Sequence, residues 1–201
     1  MTEEKTTYHH GDLRAALLAA AESVLAETGI EGFSLRRVAR EVGVSHSAPA
    51  HHFGDTQGLL AALATEGFRR FLDAMQARQA SCQSDDPKAL LIASGLGYLD
   101  FTLASPALFK LMFGSDRVDT CDPDLEKVAA ASFDHLASDI SRLRGVSPYE
   151  DADAMADVMA SWSMVHGFAS LLLSGRMYPV QAMTQAEREA FFGKIFARVT
   201  G

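Results

Sequence analysis

FSLRRVAREVGVS, Phe33 to Ser45, packs a helix, a corner and the start of a second helix into thirteen residues. Ser34 is an N-cap residue type, and Leu35, Val38, Ala39 and Val42 behind it recur at three- and four-residue spacing. That spacing predicts a short amphipathic helix ending at Gly43. Glycine tolerates the left-handed backbone that a corner needs, a neighbouring valine buries under it, and Ser45 is placed to cap a further helix running to Phe53. Two helices joined this way form a helix-turn-helix, which holds its second helix so that the N-terminal residues reach base edges in the major groove. Here that helix offers Ser45, His46, Ser47, His51 and His52, short or planar groups suited to phosphate oxygens and base edges. Phe53 is expected to turn inward, and Pro49 falls near the end of the first turn, where a missing amide donor is tolerated. Arg36, Arg37 and Arg40 on the preceding helix are candidates for the phosphate backbone.

On either side of this corner the chain reads as helix. From Asp12 to Thr28, Leu13, Leu17, Leu18, Ala21, Val24 and Leu25 form one apolar stripe, with Gly11-Asp12 as its cap and Gly29 as its stop. Asp55 caps a longer helix over 56–80, which fades through Ser81 to Asp86, and Pro87 suits the first turn of the next. Further helical patterns span 87–104, 106–113, 123–144, 150–174 and 185–199, with breaks at Ser105-Pro106, Gly114 to Asp122, Gly145 to Pro148 and Tyr178-Pro179. No alternating strand pattern and no solenoid repeat accompanies them. The expected fold is therefore all-α, with a helix-turn-helix domain over residues 1–58 and a helical ligand-binding and dimerisation domain over 59–201.

Composition narrows the function classes. The 201 residues are 48% apolar and carry a net charge of −8, an ordinary globular profile that excludes intrinsic disorder. Two cysteines, Cys82 and Cys121, make no disulfide framework and fit a reducing compartment. Nothing in MTEEKTTYHHGD reads as a signal peptide, so a cytoplasmic location is expected. Val158 to Gly175 is nearly free of charge, but its serines and His166 read as a helix buried within protein, not as a membrane span. Residues 1–58 hold five cations against eight carboxylates, a net charge of −3, so the DNA-facing candidate is not basic. Its histidines at 9, 10, 46, 51 and 52 can restore positive charge near phosphate, which predicts DNA affinity that falls with salt and with rising pH.

Catalysis finds little support. Asp85-Asp86 and Glu150-Asp151 lie in polar connectors where helix caps are the simpler reading, and no G-x-S-x-G elbow or glycine-rich phosphate loop is present. The histidine pairs 9–10 and 51–52 lack a partner at metal-ligand spacing, so neither a metal nor a cofactor is expected.

The run from Phe33 to Ser45, followed by HHF at 51–53 and LL at 59–60, is similar to the DNA-binding signature of the TetR family of bacterial transcriptional regulators. SPALFKLMFG at 105–114 and SWSMVHGFASLLLSG, with Trp162, His166 and Gly167, resemble a subgroup of that family with a Trp-His-Gly pattern in its C-terminal domain. The resemblance covers nearly the whole chain. It implies a homodimer that reads a palindromic stretch of double-stranded DNA and releases it when a small molecule binds the C-terminal domain. Two positions depart from the family pattern, with Ala50 where a tyrosine is usual and Thr56 where a lysine is usual, and both remove a phosphate anchor. Thr56 is kept as a weaker hydroxyl or amide contact. The alternative is a helical dimeric interaction protein with weak or lost DNA binding.

The C-terminal half is dense in Phe and Met, mostly core, but Phe71, Met75, Phe101, Phe109 and Met112 are also candidates to line an adaptable apolar effector site. Trp162 and His166 lie four apart and hence on one helix face, where an indole donor and an imidazole could meet one guest. The simpler reading of His166 is an imidazole whose hydrogen bonds a nearby helix satisfies, and Trp162 or His166 also fits a helix face that meets a partner subunit, on a stripe of Met155, Met159, Trp162, His166, Ala169 and Leu173 beside one of Arg188, Phe191, Ile195 and Val199.

Overall fold

The computed structural model describes residues 10–119 and 121–199, with side chains over 13–119 and 121–198, and every regular element among them is helical. In chain order these are α1 (His10–Thr28), α2 (Leu35–Val42), α3 (Ala48–Phe53), α4 (Thr56–Ala80), α5 (Pro87–Ala104), α6 (Pro106–Gly114), α7 (Pro123–Arg144), α8 (Ala152–Leu173), α9 (Tyr178–Gln181) and α10 (Gln185–Val199). Local capping explains most of the boundaries. Asp86 accepts the Ala89 amide at 3.1 Å ahead of Pro87. Asp122 accepts the amides of Asp124 and Leu125 at 3.0 Å, and Asp151 accepts that of Ala154 at 2.8 Å. The last of these puts the start of α8 at Ala152, two residues inside the expected 150–174 pattern.

Three other expectations are corrected. The backbone of α1 is already helical at His10, so Asp12 lies within the first turn and does not precede it; the side chains of residues 10–12, like His9, lie outside the described residues. The helix after the corner starts at Ala48, not Ser45, because two cap-type serines stand two residues apart and the chain uses Ser47. Tyr178-Pro179 does not simply interrupt the chain: Pro179, with no amide to place, sits in the first positions of the one-turn helix α9.

The chain divides into two compact units that do not follow chain order, 1–67 with 107–126, and 68–106 with 127–201. In the first, α2 lies on α1 and α3 on α2, over a core of Leu17, Ala21, Val24, Leu25, Val38, Ala39, Leu59 and Leu60. Segment 107–126 joins this unit because its residues reach it directly. Met112 Sδ lies 2.7 Å from where a Cβ on Gly67 would stand, and Arg117 donates to the Ile30 carbonyl. In the second, α5, α8 and α10 pack on one another. Glycines on α5 permit close approach: a Cβ on Gly95 would stand 2.9 Å from the Phe192 ring, and one on Gly97 2.4 Å from the Ala74 carbonyl of α4. Phe192 is fully buried, which stabilises by about 1.5–3 kcal/mol relative to exposure. Helix α4 contributes residues 56–67 to the first unit and 68–80 to the second. No single described helix is long and apolar enough to cross a membrane.

Candidate nucleic-acid interface and effector site

Ser34 has extended backbone at the start of α2, with φ −157°, and its carbonyl accepts the amides of Arg37 and Val38; its hydroxyl makes no capping bond. Val38 and Ala39 anchor the helix with no exposure at all, which leaves Arg36, Arg37 and Arg40 on the exposed side. Gly43 has φ +75°, the left-handed conformation expected of it, and the Val44 amide reaches back to the Ala39 carbonyl at 3.0 Å. Nothing lies within 4 Å of a Cβ at Gly43, so the backbone conformation and not space selects glycine there. Val42 and Val44 are each half-buried.

Between the helices Ser45 and Ser47 hydroxyls are 3.1 Å apart and exposed, and neither caps α3 by its side chain. Pro49 is the buried residue of α3, and neither valine of the corner is fully buried as expected. Ser45, His46, Ser47 and His51 are open to solvent, whereas His52 and Thr56 are half-buried. The His52 ring is 6.2 Å from that of Phe53, and Phe53, itself half-buried, carries the Arg14 guanidinium 5.1 Å above its ring. The turn into α4 is tight: a Cβ on Gly58 would stand 2.1 Å from the Phe53 carbonyl, and the Gly58 amide is taken by Asp55 Oδ1 at 2.9 Å. Asp55 therefore caps α4 as its position predicts.

The effector candidates fall in both units. Phe109 and Met112 belong to the first, where Phe109 packs on Phe113 at 5.1 Å. Phe71, Met75, Phe101, Trp162 and His166 belong to the second. Most of these collect around Tyr98, which the sequence reading passed over. Phe71 stands edge-on to Tyr98 at 4.7 Å and to Phe101 at 5.4 Å, and Met75 crosses α5 at Gly97. The Tyr98 hydroxyl lies 2.7 Å from His166 Nδ1 on α8 and is hydrogen-bonded to Trp162. Trp162 in turn packs on Phe133 of α7 at 5.9 Å. Burial raises the Tyr98 pKa, opposed by the Trp162 hydrogen bond, and burial lowers that of His166. Both are thus neutral near pH 7. Indole is only a donor, so Tyr98 accepts from Trp162, and the phenol and Nδ1 share a second hydrogen bond. A tyrosine in the apolar run GLGYLDF is the signal that was available, since a buried phenol needs a polar partner.

The stripe expected on α8 does not hold together as one surface. Ala169 is fully buried, His166 and Trp162 bond inward to their own unit, and Met159 is 44% exposed. The open side of α8 instead carries Met159, Ser163 and Leu171, and a Cβ on Gly167 or on Gly193 of α10 would meet nothing within 4 Å. The side chain of Val199 lies outside the described residues.

Two polar networks brace the second unit. Arg78 of α4 donates to both Asp100 oxygens, at 2.5 and 3.1 Å, and to Glu189 Oε1 of α10 at 2.8 Å. Asp139 of α7, 1% exposed, accepts from Gln79 at 2.8 Å and from Arg142, with His135 Nε2 3.8 Å away. Burial lowers the His135 pKa; Asp139 opposes this and Arg142 adds to it. No group of three or more metal-ligating side chains occurs among the described residues.

Comparison with known proteins gives one answer at both ends of the chain. Residues 17–63 match the family model described as bacterial regulatory proteins, tetR family, and residues 91–198 that of the tetracycline-repressor-like C-terminal domain. The HTH-type transcriptional regulator BetI of Cronobacter sakazakii is 29% identical over 160 residues, 79% of this chain and 75% of that protein. A Rhodococcus sp. RHA1 protein of unknown function superposes with TM-score 0.79 at 32% identity, over 96% of this chain and 98% of the other. The TetR family regulator PfmR of Thermus thermophilus shares the fold at 18% identity, with TM-score 0.65 over 93% and 95% of the two chains.

Proposed function

Because this chain belongs to the TetR family, and is therefore a ligand-responsive, DNA-binding transcriptional regulator and not an enzyme, we propose that it is a repressor with a division of labour along the chain. Residues 1–58 hold a palindromic operator, and residues 59–201 bind a small apolar effector and form the homodimer. The observation that carries the DNA half is the exposure of Arg36, Arg37, Ser45, His46, Ser47 and His51 around one glycine corner, none with a partner in another element among the described residues. His52 and Thr56, half-buried, contribute at the edge of that surface. For the effector, Phe71, Met75, Phe101, Trp162 and His166 around Tyr98 supply apolar walls and a neutral hydrogen-bonding end; Phe109 and Met112, in the first unit, are not needed for that cluster. The open faces of α8 and α10, small at Gly167 and Gly193, suit close approach of a second copy. As a DNA-binding regulator of this family it works in the cytoplasm.

Release runs through α4. An effector that displaces residues 68–80 shifts the same helix at 56–67 and so changes the spacing of the two reading helices, which must meet successive major-groove faces. Linkage requires operator DNA to weaken effector binding by the same factor. The test is fluorescence anisotropy of the full chain on the DNA upstream of its own gene, with a scrambled duplex as competitor, at two salt concentrations. Sequence-specific, salt-sensitive binding is expected. Should no duplex bind there or in a random-sequence selection, the interaction-protein alternative takes its place.

A further inference from the structure

Residues of α5 other than those around Tyr98 line a separate cleft of about 320 Å3, with Leu96, Leu99, Asp100 and Leu103 on one side and Arg188 and Glu189 of α10 on the other. That volume is at the lower end for small-molecule sites and fits a guest of amino-acid size. Leucines make the wall, and Leu103 is 41% exposed at its lip.

The charges around it are unequally engaged. Both Asp100 oxygens and Glu189 Oε1 accept from Arg78, and Gln185 adds a bond to the same Glu189 oxygen at 2.9 Å. Among the described residues Glu189 Oε2 accepts no hydrogen bond, and the Arg188 guanidinium makes no ion pair within 4 Å, although its charge acts on Glu189 and, with Arg78, lowers the Glu189 pKa. The first turn of α10 is closed by its own capping box: Thr184 N donates to Glu187 Oε2 at 2.8 Å and Glu187 N to Thr184 Oγ1 at 3.3 Å. An anionic group entering the cleft therefore meets Arg188 and not the helix end. Arg78 and Arg188 balance Asp100 and Glu189, so a singly charged guest would leave the cleft with uncompensated charge, whereas a guest of both signs would occupy both open positions.

We propose that this cleft binds a zwitterionic α-amino acid with a branched apolar side chain, its carboxylate on Arg188, its ammonium on Glu189 Oε2 and its side chain against Leu96, Leu99 and Leu103. The site is distinct from the effector cluster around Tyr98 and does not depend on it. Calorimetric titration of the full chain tests it with L-leucine and its two half-molecules, 4-methylpentanoate, which lacks the ammonium, and 3-methylbutylamine, which lacks the carboxylate. Saturable 1:1 binding of leucine is expected, with each half-molecule weaker by about tenfold, ~1.4 kcal/mol. Arg188→Gln should weaken leucine by a similar factor and Leu103→Ser by less. Among the described residues Arg188→Gln breaks no ion pair within 4 Å, so its unfolding midpoint, measured beside the titration, separates lost binding from lost folding. Three results overturn the proposal: no saturable leucine binding in the millimolar range, equal binding of 4-methylpentanoate, or leucine affinity unchanged by Arg188→Gln. Dissociation of the dimer by Leu103→Asp also overturns it, by making the cleft a contact between copies.

Discussion

The helix-turn-helix and the second compact unit treat polar side chains in opposite ways. In the corner around Gly43, Ser45, His46, Ser47, His51 and three arginines stand in solvent, and the hydrogen bond described among their side chains joins two of the serines. In the second unit Tyr98, His166, Gln79 and Asp139 are partly or wholly buried, and each is bonded to a different helix. Buried polar groups must find partners in the protein or cost free energy; exposed ones need none and remain available to something outside. Substitutions in the first set should therefore change DNA binding and leave stability alone, and those in the second should do the reverse.

The largest expected effect is on stability, at Gly97. Valine there sets its Cβ 2.4 Å from the Ala74 carbonyl and 2.6 Å from Met75 Cα, both backbone atoms that cannot step aside. Gly97→Val should cost about 3 kcal/mol or more, read as a fall in the urea midpoint. Gly43→Ala, with open space and only its positive φ to strain it, should cost about 1–2 kcal/mol. If the two cost the same, the packing contrast between the units is wrong.

Gln79→Leu comes next. It removes a donor from the buried Asp139 carboxylate and should cost about 1.5–3 kcal/mol in chemical denaturation, with operator affinity per folded molecule unchanged. His51→Ala should do the converse, weakening specific DNA binding by about 1–3 kcal/mol if its ring reads a base, while the melting temperature moves by no more than a surface change allows, about 0.5 kcal/mol. A stability loss at His51 as large as that at Gln79 would erase the distinction.

Acid sharpens the comparison further. Burial holds the His135 and His166 imidazoles below their ordinary pKa, so the unfolded chain binds more protons than the folded one in mildly acidic solution. Their contribution is fully present above about pH 6.5 and is lost as pH falls from there toward their folded values. Urea midpoints should drop between about pH 7.5 and 5.5, and His135→Gln and His166→Gln should each flatten that drop; a midpoint rising on acidification would contradict both burials. The smallest effect is expected for Arg14→Ala, which removes an exposed guanidinium from the Phe53 ring and should cost about 0.5 kcal/mol of stability.

What the amino-acid order determined by itself was local. The 87–104 and 123–144 helices begin where expected because Asp86-Pro87 and Asp122-Pro123 carry cap and first turn in adjacent residues, and Gly43 turns the corner because few other residues tolerate its φ. The family signature from Phe33 to Ser45 is likewise a run of neighbours, and its misplaced cap, Ser45 in place of Ser47, is a slip of two residues. Tertiary structure alone decided the pairings that cross the chain. Tyr98 meets His166 across 68 positions, Gln79 meets Asp139 across 60, and Arg78 meets Glu189 across 111. It also decided that Phe109 and Met112 belong to one compact unit and Phe71 and Phe101 to the other, and that Trp162 and His166 bond inward. Helical periodicity records which face of a helix is apolar; it holds no information on which other face will cover it, and that depends on crossing angles and on the close approaches that residues such as Gly95 and Gly97 permit.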